Sequence, residues 1–363
     1  MRALILKGLR SRGSRFVMCV SGVATSTLLV LVLLAAYRSV IVGIVRYIGQ
    51  PRLDLWIAPR GTDNLIRATP SISLETLSEI RGVPGVARLD PIALAFVTAE
   101  ANGKRVTLLA IGFCGRAALG APQVSIGETP TKPNEIVLDR AAAHRLQAAV
   151  GDSIAVNGEH KLVVGITTGT NLLATQLAFV DISLAHLPAM SFGIVELAPG
   201  VSSAEVAERI RDRTPAIDVI KRAAFEANNV REIGAGFLPL LFLINALGIA
   251  SAALLVSFLV HAAVEHRRGD LAVLLAAGAT PATIGGGLTL HASELLLTGI
   301  CAGALCAHLL SAVLDAVAPI IPLHYVTSDL LFVAALLSTA GLLASAIPIF
   351  RLKDIDPLEA FRS

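Results

Sequence analysis

The sequence predicts an integral membrane α-helical protein with four transmembrane helices in a 1+3 arrangement. A mixed α/β extracytoplasmic domain is expected between the first helix and the other three. Three observations predict this class. The 363 residues are 54% hydrophobic and 16% charged, with a mean hydropathy of +0.72, far more apolar than a soluble domain. Four long runs lack any acid, lysine or arginine. A stretch of about 180 residues after the first run carries short strand and helix patterns, and that length can bury its own core.

The four runs are Phe16 to Tyr37, Ile233 to Val264, Leu295 to Leu314 and Leu330 to Phe350. Each meets the roughly 20 residues that a helix needs to cross about 30 Å of hydrocarbon, and the third is expected to begin upstream of Glu294. Orientation follows from the basic residues. Arg2, Lys7, Arg10, Arg12 and Arg15 precede the first span, Arg267 and Arg268 follow the second, and Arg351, Lys353 and Arg362 follow the fourth. Both termini and the 264–285 loop are therefore expected in the cytoplasm, and residues 52–230 outside. The first span is longer than a cleaved leader's apolar region and is followed by Arg38, so it is read as a retained span.

In chain order, residues 1–15 carry Leu4, Leu6 and Leu9 among basic residues, a pattern suited either to a helix on an anionic leaflet or to plain positive-inside anchoring. Span one, 16–50, continues past Arg38, because Val40, Ile41, Ile44, Val45 and Ile48 share one helical face up to Gly49 and Pro51. Span two has the same surplus: about 32 residues at 1.5 Å each make about 48 Å against about 30 Å of hydrocarbon. The two excess lengths are read as a stalk, although tilt absorbs part of such an excess.

Within 51–230, strands are expected at Asp54 to Pro59, Ile92 to Thr98, Val106 to Ile111, Ser153 to Val156, Lys161 to Ile166, Gly193 to Leu197 and Ile217 to Ile220. Asn102-Gly103 and Asn157-Gly158 mark two hairpins. Helices are expected at Ser73 to Arg81 and, from a Ser202-x-x-Glu205 capping box, through Arg213. The permease-like region then runs over 231–350, and 351–363 is a cytoplasmic tail.

Catalysis has little support. No two histidines sit four apart, so no helical zinc site is expected and no metal site is assigned. No G-x-x-x-x-G-K-[ST] occurs, so the chain lacks a P-loop for ATP, and no G-x-S-x-G occurs either. Glu128, Glu135, Asp139 and Asp152 are read as solvated surface acids. Cys114 is alone in the outside region, which excludes an internal disulfide there. The net charge of +3 gives no reason to expect a nucleic-acid partner.

The exception is Val264 to Thr280. Asp270 is placed to cap a short helix whose Leu271, Leu274, Leu275 and Gly278 share one face, with Gly278 and Pro281 as the stop. About nine residues make about 14 Å, less than half a bilayer. Such an apolar helix must be covered, by the membrane surface or by a partner's groove. Glu265, Arg267, Arg268 and Asp270 beside it suit either a partner or a solvated membrane edge. Glu294 is the principal intramembrane ionisable residue.

Several segments together resemble a family. Arg267-Arg268-x-Asp270-Leu271 with Gly278-Ala279-Thr280, and Leu290 to Gly299 with Glu294 inside it, resemble the R-x-x-E-I, G-A-S and L-x-x-E segments of the FtsX/MacB-type ABC permeases. Pro348 to Arg351 and Ile355 to Ala360 resemble that family's closing pattern, Leu9 to Gly13 its opening, and Gly151-Asp152-Ser153-Ile154 with Gly165-Ile166 its outside-domain positions. Gly269 and Leu275 stand at usually charged positions, and Asp270 stands for the commoner Glu. The resemblance implies a four-span permease subunit in a bacterial inner membrane, paired as a homodimer. It implies that a separate ABC ATPase subunit hydrolyses ATP, so that this chain holds no cofactor and is not itself an enzyme. A membrane fusion protein and membrane lipid are further implied partners. Export or extraction of a hydrophobic or amphipathic substrate is the expected function. The alternative is a signalling permease that controls a periplasmic partner such as a cell-wall hydrolase. The coupling residues implied are Glu265, Arg267, Arg268, Asp270, Leu271, Leu274, Leu275 and Gly278. Docking is expected to rest on Leu271, Leu274 and Leu275 more than on Arg267.

Overall fold

The computed structural model describes residues 13–49, 52–65, 71–115, 118–172, 175–182, 189–317, 323 and 325–350. The expected helix over residues 1–15 lies outside these but for its last three residues, and the tail 351–363 lies outside them entirely. The described residues fall into two compact units. One lies within Met1–Ala35, Leu238–Ala312 and Leu323–Ser363, the other within Ala36–Phe237 and Val313–Pro322.

Among the described residues, four helices are long and apolar enough to cross a membrane: α1 (Gly13–Ile48), α5 (Arg222–Glu265), α7 (Pro281–Val317) and α8 (Thr327–Phe350). The expected spans are all present, and α7 does begin well upstream of Glu294. Helix α1 runs through Ile48, where Gly49 donates its N–H to the Val45 carbonyl at 2.7 Å. At 44 residues, α5 measures about 66 Å, roughly twice the hydrocarbon thickness.

In the helical unit, small residues set the contacts. A methyl group on Gly299 would meet Val23 at 2.7 Å, and one on Gly303 would meet the Ala24 carbonyl and Thr27. Gly22 faces Leu255 and Gly341 faces Leu296 in the same manner. Lipid tails are as apolar as leucine, so helices in a bilayer associate by close packing, and glycine permits it. Val23, Leu31, Val256, Val260, Leu288, Leu295, Leu296 and Leu337 fill the resulting core.

The other unit is built on an 11-stranded sheet. Its strands are β1 (Leu55–Pro59), β2 (Val86–Ala101), β3 (Lys104–Phe113), β4 (Val124–Gly127), β5 (Glu135–Asp139), β6 (Ser153–Val156), β7 (Glu159–Thr167), β8 (Asn171–Leu172), β9 (Thr175–Asp181), β10 (Phe192–Leu197) and β11 (Ile217–Lys221). The order is β11-β1-β10-β2-β3-β9-β5-β7-β4, with β6 on β2 and β7, and β8 on β9. Strand β2 joins two halves: Val86 to Ile92 pair with β10, and Ala93 to Ala101 pair with β3. Both Asn-Gly hairpins form, with positive φ at Asn102, Gly103, Asn157 and Gly158, as a two-residue primed turn demands.

Helices α2 (Leu74–Arg81), α3 (Arg140–Leu146) and α4 (Ser203–Arg213) cover the sheet. Strand β1 reads as a continuous apolar run because both its faces are buried. Leu55 and Ile57 enter the core under α2 and α4, while Trp56 and Ala58 enter a second core. That second core takes Val40, Ile44, Tyr47 and Ile48 of α1 and Phe225 and Ile233 of α5. Trp56 stacks on Phe225 with centroids 4.4 Å apart, and Phe192 meets both edge-on. Residues 36–48 of α1 and 222–237 of α5 thus belong to the α/β unit.

One expected cap and one expected surface acid are corrected. Ser202 is the N-cap of α4 but makes no side-chain cap bond, and Glu205 instead pairs with Arg209 one turn on, at 3.2 Å. Ser73 does cap α2, accepting the Thr76 N–H at 3.1 Å. Asp139, expected on the solvated surface, is buried: its carboxylate caps α3 through the Ala141 N–H at 2.8 Å and accepts the Thr170 hydroxyl at 2.7 Å. Elements β4, β5, α3, β8 and β9 have no counterpart among the sequence expectations.

Candidate functional site

The stretch after α5 folds as expected into a short helix, α6 (Arg268–Ala276), nine residues long. Its stop is the expected one. Gly278 has φ +89°, a left-handed conformation that glycine adopts freely, and Ala279 returns its N–H to the Leu274 carbonyl at 2.9 Å. The next helix opens with Thr280 and Pro281: the Thr280 hydroxyl accepts the Thr283 N–H at 3.3 Å, and proline occupies the first helical position, where no N–H is needed.

The start differs. Arg267 occupies the cap position without a side-chain cap bond, and Asp270 lies inside the first turn. There its charge complements the positive end of the helix dipole instead of bonding as a cap. Arg268 lies 4.0 Å from Glu265, and both are about half exposed, a pairing that adds little stability.

Both faces of α6 are apolar, and the structure decides which is covered. Leu271 and Ala272 are buried in the core of the helical unit, at 5% and 0% exposure, and Leu274 and Leu275 pack half-buried against it. Of the three leucines on which docking is expected to rest, Leu271 is turned into the core, and Leu274 and Leu275 are only partly exposed. Val273, 54% exposed, and the exposed Ala276 and Ala277 form the outward surface, flanked by the exposed Glu265, Arg268, Asp270 and Gly278. Arg267 is half-buried. The pattern alone could not choose between two apolar faces.

Glu294 lies on α7, half-buried, with a carboxylate oxygen 4.0 Å from Nδ1 of His291. His291 is buried and stacks on Phe16, with centroids 5.6 Å apart.

A concave feature elsewhere was not foreseen. In the α/β unit, an open cleft of about 780 Å³ is lined by Lys104 and Arg105 from the β2–β3 hairpin and by Arg140, His144 and Arg145 from α3. Its floor is Val106, Ala143, Ala148, Ala149 and Ile166. The only sequence signals were the i, i+4 spacing of Arg140 and His144 and the basic pair just after Asn102-Gly103.

Comparison with known proteins places this architecture. A family model described as the MacB-like periplasmic core domain matches residues 16–213, and one described as the FtsX-like permease C-terminal domain matches residues 242–357. The chain belongs to the MacB/FtsX type of ABC transporter permease. Over 369 aligned positions it is 25% identical to a protein described as an uncharacterized ABC transporter permease in Mycobacterium bovis and to one so described in Mycobacterium tuberculosis, covering 98% of this chain and 98% of each. A second permease of Mycobacterium tuberculosis is 26% identical over 297 positions, 78% of this chain and 77% of its own length. Among solved structures, the periplasmic region of MacB from Actinobacillus actinomycetemcomitans aligns at 12% identity and TM-score 0.40, over 52% of this chain and 96% of that one. The extracellular domain of the transporter YknZ from Gram-positive bacteria aligns at 16% identity and TM-score 0.35, over 46% of this chain and 98% of that one.

Proposed function

We propose that this permease transmits the motion of a separate ATPase, docked on α6, to its α/β domain, which lies in the periplasm and drives export or extraction of a hydrophobic or amphipathic substrate. The observation that carries the reading is α6 itself. It is too short to span a bilayer, it lies between two spans, and it turns Val273, Ala276 and Ala277 outward between charged residues. Small apolar side chains ringed by charges suit insertion into a groove on a partner. The basic residues near the span ends support a cytoplasmic position for α6 and both termini in an inner membrane. A second copy of the chain completes the permease as a homodimer. ATP is bound by the partner, and the chain contributes shape change in place of catalysis.

Co-expression with the P-loop ATPase encoded nearest to this chain tests the proposal. Val273→Asp is expected to abolish co-purification of the ATPase or to lower the complex's ATP hydrolysis at least tenfold. Arg213→Ala, far along the sequence, is expected to leave both unchanged. An ATPase that assembles and turns over equally well with Val273→Asp overturns the reading. A cell-wall hydrolase stably held by residues 52–230, with no exported molecule altered on deletion, would instead assign the chain to signalling.

A further inference from the structure

The basic cleft in the α/β unit has the features of a constructed site. Four basic residues, Lys104, Arg105, Arg140 and Arg145, and one histidine, His144, line it with no carboxylate among them. Like charges gathered in one concavity repel, and they raise the local concentration of an anion. The scaffold holds them there. Asp139 pins the first turn of α3, and the Asn102 side-chain amide donates to the carbonyls of Leu146 and Gln147 at 3.1 and 2.9 Å, tying the hairpin turn to the helix end. The Arg145 guanidinium donates one N–H to the carboxamide oxygen of the fully buried Gln176 at 3.0 Å, which orients the charged group and leaves its other N–H donors available. Arg105 pairs with Glu100 outside the lining, while Lys104, Arg140 and His144 have no ion pair among the described residues.

From this arrangement we infer that the cleft binds a phosphate-bearing ligand. Guanidinium groups from two elements, together with an ammonium, match a dianion with several acceptor oxygens better than a single carboxylate. The floor of alanine, valine and isoleucine accepts the carbon part of the same molecule. Free organic phosphate and a phospholipid headgroup share this chemistry. The site lies wholly within the α/β unit, so it stands or falls independently of an ATPase docking on α6.

The test uses the full chain in phosphatidylcholine nanodiscs, titrated calorimetrically with inorganic phosphate and, separately, with dihexanoyl phosphatidic acid. Saturable binding of either probe is expected, weakened about tenfold by Lys104→Ala or Arg140→Ala and about a hundredfold by both together. Both side chains are exposed, and unchanged melting temperatures will show that the variants fold. Equal affinity for the two probes identifies a free phosphate as the ligand, and tighter binding of the phosphatidic acid identifies a lipid headgroup. The inference is overturned if neither probe saturates, if poly-glutamate saturates where both fail, or if Arg213→Ala, which removes a charge elsewhere on this unit, weakens binding as much as Arg140→Ala.

Discussion

Asp139 shows how much one residue carries. Its carboxylate caps α3 and, through the Thr170 N–H and hydroxyl, anchors the turn after β7; Thr170 bonds in turn to Thr167, at 2.7 Å. Asp139→Ala removes a cap and leaves buried donors unsatisfied, so it is expected to cost about 1–3 kcal/mol, read as a lower denaturation midpoint of the α/β unit. Burial pushes the Asp139 carboxyl above the usual carboxylate range, against the pull of its hydrogen bonds. Its stabilising contribution is therefore fully present below the ordinary aspartate pKa and is lost as pH rises through the raised value. Glu135 has the opposite sign. Backbone N–H groups of Thr131 and Lys132 lower its pKa, so its contribution is present above the ordinary glutamate value and is lost as pH falls through the lowered one. Glu135→Gln is expected to flatten the acid side of a stability–pH curve, and Asp139→Ala the side above it. None of this is visible in the sequence, where Asp139 stands among ordinary loop acids. Burial comes from strands β5, β7 and β9 meeting, a non-local event.

At the scale of elements, the legible parts had local causes. Asn102-Gly103, Asn157-Gly158 and Gly278 act within a few residues of themselves, and each turn or stop they announce is present. The Ser202 capping box and the Asp270 cap are local signals that did not form as read. Elements settled by remote partners were illegible: β5 and β9 are short apolar runs of the kind that a buried helix also shows, and they become strands by pairing with β7 and β3. The face of α6 was undecidable for the same reason, since the bundle core selected Leu271 and left Val273 exposed. The cleft likewise needed Lys104 and Arg140 to meet across the fold. Between membrane helices, the packing gives a sharp expectation. Gly303→Leu would place a side chain against the Ala24 carbonyl and Thr27, where there is no room. It is expected to leave hydropathy undiminished yet to separate α7 from α1, read as loss of a disulfide cross-link engineered between those helices elsewhere along their contact.

For the whole molecule, the plan of one span, a large α/β domain and three further spans was legible because hydropathy is a property of long windows, which no single residue overturns. The division of α1 and α5 between two units followed from simple length: about 48 Å of charge-free helix exceeds about 30 Å of hydrocarbon. That division has a calorimetric consequence. The α/β unit packs Trp56, Phe192 and Phe225 away from water, so its unfolding exposes apolar surface to water and carries a large positive heat-capacity change. The helical unit, held at Gly299 and Gly303 by backbone closeness inside a medium already apolar, exposes little to water when its helices part. One polypeptide should then show two melting events with different curvature. Cooling toward freezing should weaken the sheet while leaving the helices together, so cold is the condition that tells the two halves apart.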